Sequence, residues 1–392
     1  MIAAQLFLDA CRERDVRFFT GTPCSYMKPF MNAVINDPAL TFRDATNEGD
    51  AVALAAGVHV ATGATTVVMF QNSGLGNAVN ALTSLNVPFQ IPALLIITHR
   101  AQPGGVPDEP QHQFMGEVTI PLLEALQIPW APFPKTAAEI APLLDRALTH
   151  LRERSLPFAI VMPWGAVERT PLRINRPSDP IGARTLSFRE TLSRRYETRA
   201  TRAETLQALL AAKQPDDVVI TTTGYTTREL SSIADADNHL YVVGSMGSAS
   251  AFALGLALYH PSRRIWMLDG DGAALMRLGN FASIGAFAPR NFFHLLIDNE
   301  AHDSTGGQAT VSRGVSFGAI AQACGYAQAF GTDSLEELRQ LLAAHDVNRG
   351  PTLVHFRTKI GTLPNLGVPQ VKPPAVKQRL MRHLGVATLR TR

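Results

Sequence analysis

Cysteine is scarce in this 392-residue chain. Cys11, Cys24 and Cys324 are odd in number and far apart, which fits reduced thiols better than a disulfide framework or a zinc cluster. Long apolar runs are missing too, and none approaches the ~18 residues that a membrane-spanning helix needs. Charge of one sign is nearly absent: 36 Lys and Arg against 33 Asp and Glu leave +3, too little to argue for nucleic acid. Much of that excess lies in 372–392, which reads as a solvated helix and tail. Residues 1–16, MIAAQLFLDACRERDV, lack the basic start, apolar stretch and small-residue cleavage site of a signal peptide, so a cytoplasmic location is expected. A strand–GxGxxG–helix unit with its downstream acid is also absent, which argues against a dinucleotide enzyme.

What is present is a globular composition, 46% hydrophobic and 18% charged, in a chain long enough for two cores. Short β-rich runs at 67–70, 93–98 and 158–162 alternate with helical patterns at 3–14, 50–61, 75–85 and 137–151. The alternation returns with strands at 218–222, 239–243, 264–268, 292–297 and 352–356. The second set of helices is expected at 204–212, 249–258, 274–286, 317–324 and 335–344. This grammar predicts an α/β fold with two mostly parallel sheets flanked by helices. The boundaries expected are a first domain at 1–180, a linker at 181–200 rich in Pro, Arg and Ser, and a second domain at 201–392.

The halves resemble each other. Shifted by 198 residues, 46–78 lies on 244–276 without a gap, and Gly49, Ala51, Ala53, Ala55, Gly57, Met69 and Gly74 meet identical residues. Duplication explains this, and so does the grammar common to all βαβ units. The register sets Glu48 opposite Met246.

Asp269-Gly270-Asp271-Gly272 follows the apolar run RIWML. Glycines permit a sharp turn and close approach to a ligand. Amides entering a helix at Ala273 can hold phosphate oxygens, and Asp271 offers a hard oxygen to Mg²⁺. Alone, this motif equally fits an ordinary strand-to-helix turn. A second apolar run, FFHLLI, ends in Asp298-Asn299-Glu300, so acids and amides gather at the carboxyl edge of one sheet, where α/β folds bind ligands.

Gly270-Asp271-Gly272, 25 residues and then Asp298-Asn299 resembles the motif of thiamine-diphosphate enzymes. The resemblance implies two thiamine-diphosphate-binding domains with no central domain, pyrimidine-binding first and diphosphate-binding second. It implies Mg²⁺ on Asp271, Asn299 and the Ala301 carbonyl, although Asp298 replaces an asparagine of the motif and blurs which side chain is the ligand. In Gly244-Ser245-Met246-Gly247, Met246 would wedge between the cofactor rings and the Gly244 carbonyl would accept from the aminopyrimidine. Glu48, in Asn47-Glu48-Gly49, would contact the pyrimidine nitrogen and so promote proton removal from the thiazolium carbon. Thr223, Gly224, Gly272, Ser304 and Thr305 are further candidates near the diphosphate.

A closer resemblance covers most of the chain. Gly21-Thr22-Pro23-Cys24-Ser25, the run from Asn47 to Gly57, Gln71-Asn72-Ser73-Gly74-Leu75-Gly76-Asn77, Asp108-Glu109-Pro110-Gln111-His112 and His302-Asp303-Ser304-Thr305-Gly306-Gly307-Gln308 are similar to phosphonopyruvate decarboxylases. That family implies decarboxylation of 3-phosphonopyruvate to phosphonoacetaldehyde and carbon dioxide, in phosphonate biosynthesis, by a homodimer or larger homo-oligomer. Arg100 would hold the phosphonate, with Ser25, Asn72 and Gln111 beside it, and His112 would handle a proton. Two departures stand out. Thr98-His99-Arg100-Ala101-Gln102 lacks the family's usual tryptophan before the arginine and acid after it, and Pro163-Trp164-Gly165-Ala166 replaces a basic residue and a glycine. Either could mark an altered substrate such as a phosphinate. The alternatives are sulfopyruvate decarboxylase, another short 2-oxo acid decarboxylase, or a non-catalytic regulatory protein that keeps the cofactor.

Overall fold

The apolar runs are buried along their length, as strands of a parallel sheet covered on both faces must be. The computed structural model describes residues 1–173, 186–192 and 196–386, which fall into two units before and after the interval 174–185.

The first unit contains β1 (Phe18–Gly21), β2 (Thr41–Asp44), β3 (Thr66–Gln71), β4 (Leu94–Thr98), β5 (Trp130–Pro132) and β6 (Phe158–Met162), all parallel, in the order β2-β1-β3-β4-β6-β5. Successive side chains face opposite ways. Val67, Met69, Leu94 and Ile96 therefore pack with Phe7, Phe30 and Phe133 on one face. Val68, Phe70, Leu95 and Ile97 pack with Ala51, Ala55, Leu82 and Leu123 on the other. Helix Glu48–Thr62 is nearly all buried, and its small residues let it lie close to the sheet. Asn47 caps it by accepting from the Gly49 N–H at 2.7 Å, and Gly63 ends it at φ 73°.

The second unit contains β7 (Ser187–Thr191), β8 (Val218–Thr221), β9 (His239–Tyr241), β10 (Ile265–Gly270), β11 (Phe292–Asp298), a short antiparallel pair β12 (Ala301–His302) and β13 (Gln308–Ala309), then β14 (Gln328–Thr332) and β15 (Thr352–Arg357). Its main sheet runs β7-β14-β15-β11-β10-β8-β9, all parallel. Without β7, this is the strand order of the first sheet read element for element. The 198-residue shift carries β3 onto β10 and β4 onto β11 within one residue at their starts. A shared six-strand order is more than two βαβ units require, and favours duplication.

Three expectations need correction. The stretch 181–200 was expected as a linker, but Ser187–Thr191 forms the edge strand β7 on β14; 181–185 and 193–195 lie outside the described residues. The single helix expected at 274–286 is two, Asp271–Met276 and Asn280–Phe287, broken where Arg277 leaves helical geometry at φ −130°. The C-terminal helix Pro373–His383 is packed rather than solvated: Val376, Leu380 and Met381 are buried, and Arg379 grips Asp235 at 2.8 and 2.5 Å. Its apolar residues recur at helical spacing, which marks a buried face despite the high charge; 387–392 lie outside the described residues. No helix among the described residues is long and apolar enough to cross a membrane.

Candidate active site

In the second unit, the carboxyl ends of β8, β10 and β11 open onto one cleft. Thr222, Thr223 and Gly224 come from the first strand end, Gly270 to Ala273 from the next, and Ile297 and Asn299 from the third. Met246, Ala301 and Ser304, also expected from sequence, line it too. Gly224, at φ 98°, turns the chain into the next helix, and a Cβ there would lie 3.5 Å from the Ser304 hydroxyl. The turn that presents Met246 is held by Ser245 at φ 52° and Gly247 at φ 87°; a side chain on Gly247 would meet Arg277 Cγ at 2.5 Å. Gly244 and Thr305 do not line the cleft. Thr223 reaches the neighbouring Val243 carbonyl at 3.0 Å, and Thr305 bonds the His302 carbonyl and Gln308 within its own loop.

Asp298 and Asn299 part company. Asp298 is fully buried on the strand, where it accepts from His355 Nε2 at 2.8 Å and from the Ser312 hydroxyl at 2.8 Å. Burial raises its carboxyl, but these partners outweigh that and hold it below the usual carboxylate range. Asn299, one residue later, faces the cleft with Asp271 and Ala301. The strand ends at Asp298, and the chain turns just after Asn299, at Glu300 with φ 60°. The carboxyl of Asp271 accepts from the Thr310 hydroxyl and is pushed up to about 6 by burial and then by the Asp298 carboxylate. A buried carboxylate so disfavoured as an anion gains most from a cation. An amide oxygen and a backbone carbonyl beside it make a hard-oxygen donor set that suits Mg²⁺. The residues therefore fit the ion that the motif implies.

In the first unit, Glu48 opens its helix and both carboxylate oxygens are engaged. Oε1 accepts from Thr22 at 2.9 Å and Oε2 from Asn77 at 2.8 Å. Gly74 stands directly against it: a Cβ at 74 would lie 2.5 Å from Glu48 Cγ. Gly272 bears the same relation to Met246, with a Cβ there 3.1 Å from its methyl and 2.7 Å from the His302 ring. The 198-residue register thus carries a glycine and the side chain it makes room for from one unit into the other.

Arg100 and Ser25 come together, but the arginine is not free. Its Nε and one terminal nitrogen clamp Asp108 at 2.9 and 2.5 Å, the guanidinium lies 4.8 Å over the Tyr26 ring, and the other nitrogen points to the Ser25 hydroxyl at 3.4 Å. Hydrogen bonds from Arg100 hold the Asp108 carboxyl well below the usual range. Trp164 packs on Tyr26 with ring centroids 4.7 Å apart. Asn72 is buried and donates to the Arg100 carbonyl and to Thr119, so it shapes this loop. His112 lies in the first turn of helix Pro110–Ala125, its Nε2 3.6 Å from the Glu109 carboxylate, which accepts a hydrogen bond from the exposed Gln111 at 2.8 Å.

Sequence reasoning missed Arg202, Tyr225, His302 and Asp303, all on the cleft wall. His302 and Asp303 sit in a run, 302–308, that resembles the family but assigns them no role. Arg202, 101 residues from Asp303, carries no local signal.

Two sister units with these features at one edge of each sheet define a thiamine-diphosphate enzyme. Residues 1–120 match the family described as thiamine pyrophosphate enzyme, N-terminal TPP binding domain, and 222–356 match its C-terminal TPP binding domain. The chain belongs to the phosphonopyruvate decarboxylase family. It is 43% identical to a phosphonopyruvate decarboxylase of Streptomyces viridochromogenes, over 97% of this chain and 94% of that one. It is 41% identical to one of Streptomyces hygroscopicus, over 97% and 93%. Among solved structures, the thiamine diphosphate-dependent 4-hydroxybenzoylformate decarboxylase of Rhodococcus jostii RHA1 shares the fold, with a TM-score of 0.74 at 14% identity over 93% of this chain and 100% of that one.

Proposed function

We propose that this enzyme decarboxylates 3-phosphonopyruvate to phosphonoacetaldehyde and carbon dioxide, in phosphonate biosynthesis. The observation that carries the reading is the similarity, over nearly the whole chain, to two phosphonopyruvate decarboxylases. Asp271, Asn299 and the Ala301 carbonyl would hold Mg²⁺, and Thr223, Gly224, Gly272, Ala273 and Ser304 would surround the diphosphate. Met246 and the Gly244 carbonyl would meet the cofactor rings. When bound, thiamine diphosphate supplies the electron sink for the carbon that loses carbon dioxide.

The chain's own part is activation, orientation and proton handling. Glu48 is fixed by two hydrogen bonds, as a group that must hold a proton at one atom requires. The departing carboxylate leaves as a neutral molecule, so strong positive charge at that end would favour the ground state. Charge belongs at the phosphonate instead, where the unclamped nitrogen of Arg100 and the Ser25 hydroxyl can donate. His112 is the proposed proton carrier for the product. We further read the enzyme as at least a homodimer in the cytoplasm, with the pyrimidine served by the first unit and the diphosphate by the second. The test is a competition assay with phosphonopyruvate, sulfopyruvate and pyruvate, thiamine diphosphate and Mg²⁺ being supplied. Phosphonopyruvate should be consumed first; preference for sulfopyruvate would overturn the substrate, and no carbon dioxide from any of the three would overturn the activity.

A further inference from the structure

We infer that Asp303 is a positioning residue for the metal site, fixing which end of the Asn299 amide faces the cation. The inference rests on the reading that Asp271, Asn299 and Ala301 hold Mg²⁺. A side-chain amide has a donor end and an acceptor end of nearly the same shape, and only the oxygen can bind a cation. Something must therefore tell the two apart. Asn299 Nδ2 donates to Asp303 Oδ2 at 3.3 Å. A carboxylate only accepts, so this contact admits the NH₂ end alone and leaves Oδ1 on the other side, where it also accepts from the Ala301 N–H at 3.2 Å.

Asp303 is itself braced. The same Oδ2 accepts from Arg202 at 2.9 Å and from the Gly361 N–H at 3.2 Å. Arg202 is 3.5 Å from the Glu229 carboxylate, whose side chain is 1% exposed and accepts from the Leu363 N–H at 3.0 Å. A chain of polar contacts thus runs Glu229, Arg202, Asp303, Asn299 from the interior to the cleft. Arg202 offsets the charge of Asp303, which keeps that carboxylate an acceptor for Asn299 rather than a competing ligand. Outer partners of this kind typically alter metal affinity by about 10–100-fold.

The test reads binding without turnover: Mn²⁺ is titrated into the full-length protein with excess thiamine diphosphate, and free Mn²⁺ is followed by electron paramagnetic resonance. Asp303→Ala should raise the Mn²⁺ dissociation constant about 10–100-fold, and Asp303→Asn, which keeps an acceptor oxygen, should recover most of that loss. The decisive background is Asn299→Asp, whose two oxygens are equivalent and need no orienting. There Asp303→Ala should leave Mn²⁺ affinity unchanged, or raise it by removing a like charge. Equal weakening in the wild-type and Asn299→Asp backgrounds would show a merely structural role and overturn the inference, as would wild-type affinity in Asp303→Ala. Should Asp303→Ala not fold, Arg202→Gln replaces it: untying the brace should weaken Mn²⁺ only when Asn299 is present, and equal weakening in both backgrounds again overturns the idea. Asp271→Ala separates the two levels. If it binds Mn²⁺ normally, the metal-site reading fails; if it loses Mn²⁺ while Asp303→Ala does not, only the role of Asp303 fails.

Discussion

Gly74→Ala should disable the enzyme while leaving its fold intact. Gly74 has φ −69° and ψ −14°, which alanine adopts freely, so the backbone gains up to about 1 kcal/mol from the substitution. The damage is local. The new methyl would stand 2.5 Å from Glu48 Cγ and 2.6 Å from its Cδ and Oε1, where ordinary contact begins near 3.4 Å. The carboxylate arm must retreat by about 1 Å, and a misplacement of that size costs on the order of 100-fold in rate, or about 2.7 kcal/mol of barrier. Its hydrogen bonds from Thr22 and Asn77, 2.9 and 2.8 Å long, must stretch or break. Gly76→Ala is the matched control, since a Cβ there meets nothing within 4 Å. Steady-state kcat and thermal unfolding measured on both variants provide the assay: Gly74→Ala loses kcat with its melting temperature nearly unchanged, and Gly76→Ala keeps both. Glu48→Gln should lose most turnover by itself, and adding Gly74→Ala to it should cost little more, because both act on one group. A Gly74→Ala enzyme with wild-type kcat would refute the reasoning, as would additive losses in the double variant.

Asp271→Ala removes the charged member of the donor set and should abolish retention of thiamine diphosphate; unchanged cofactor binding by calorimetry would remove Asp271 from the site. Arg100→Ala should cost about 2–4 kcal/mol in kcat/KM for phosphonopyruvate and far less for pyruvate, which has no second anion. Equal losses on both would mean that the clamp with Asp108 builds the loop and does not recognise the tail. Acid should loosen the second unit through His239 and His345, whose ring pKa values burial lowers to about 4. The unfolded chain takes up these protons near pH 6.5 and the folded one only near 4, so stability is lost as pH falls through that window, by at most about 3 kcal/mol per histidine. Urea midpoints that do not fall between about pH 7 and about pH 5 would contradict the buried neutral state.

Much of the plan was legible in the chain because it is written locally. The inner strands β3, β4, β10 and β11 are continuous apolar runs, each too short to cross a membrane as a helix, and such runs have few fates other than a covered parallel strand. The Asp271 and Asn299 motif is a spacing within one stretch, and the 198-residue repeat compares two gapless windows, 46–78 and 244–276; both led to residues that the fold sets at a sheet edge. Short elements were legible only in part: β6, β8 and β9, three to five residues long, were expected, whereas β1, β2, β5 and β14 of the same lengths were not, and β7 in the expected linker pairs with β14.

What only the tertiary structure decided is what stands opposite each side chain. Asp298 and Asn299 are neighbours, and their types do not say which faces the cleft; His355 and Ser312 hold Asp298 inside, and Asn299, just past the strand end, is left to the cleft. Arg100 reads as a free guanidinium until Asp108 is seen beneath it. Gly74 reads as one small residue among several until Glu48 is found against it. Arg202 meets Asp303 from 101 residues away, and no periodicity spans that distance, because the contact exists only once β8, β10 and β11 lie side by side. Local sequence determined which segments could become strands and helices and which motif would close a cleft, while packing between distant segments determined which polar groups are held, paired or left for a ligand.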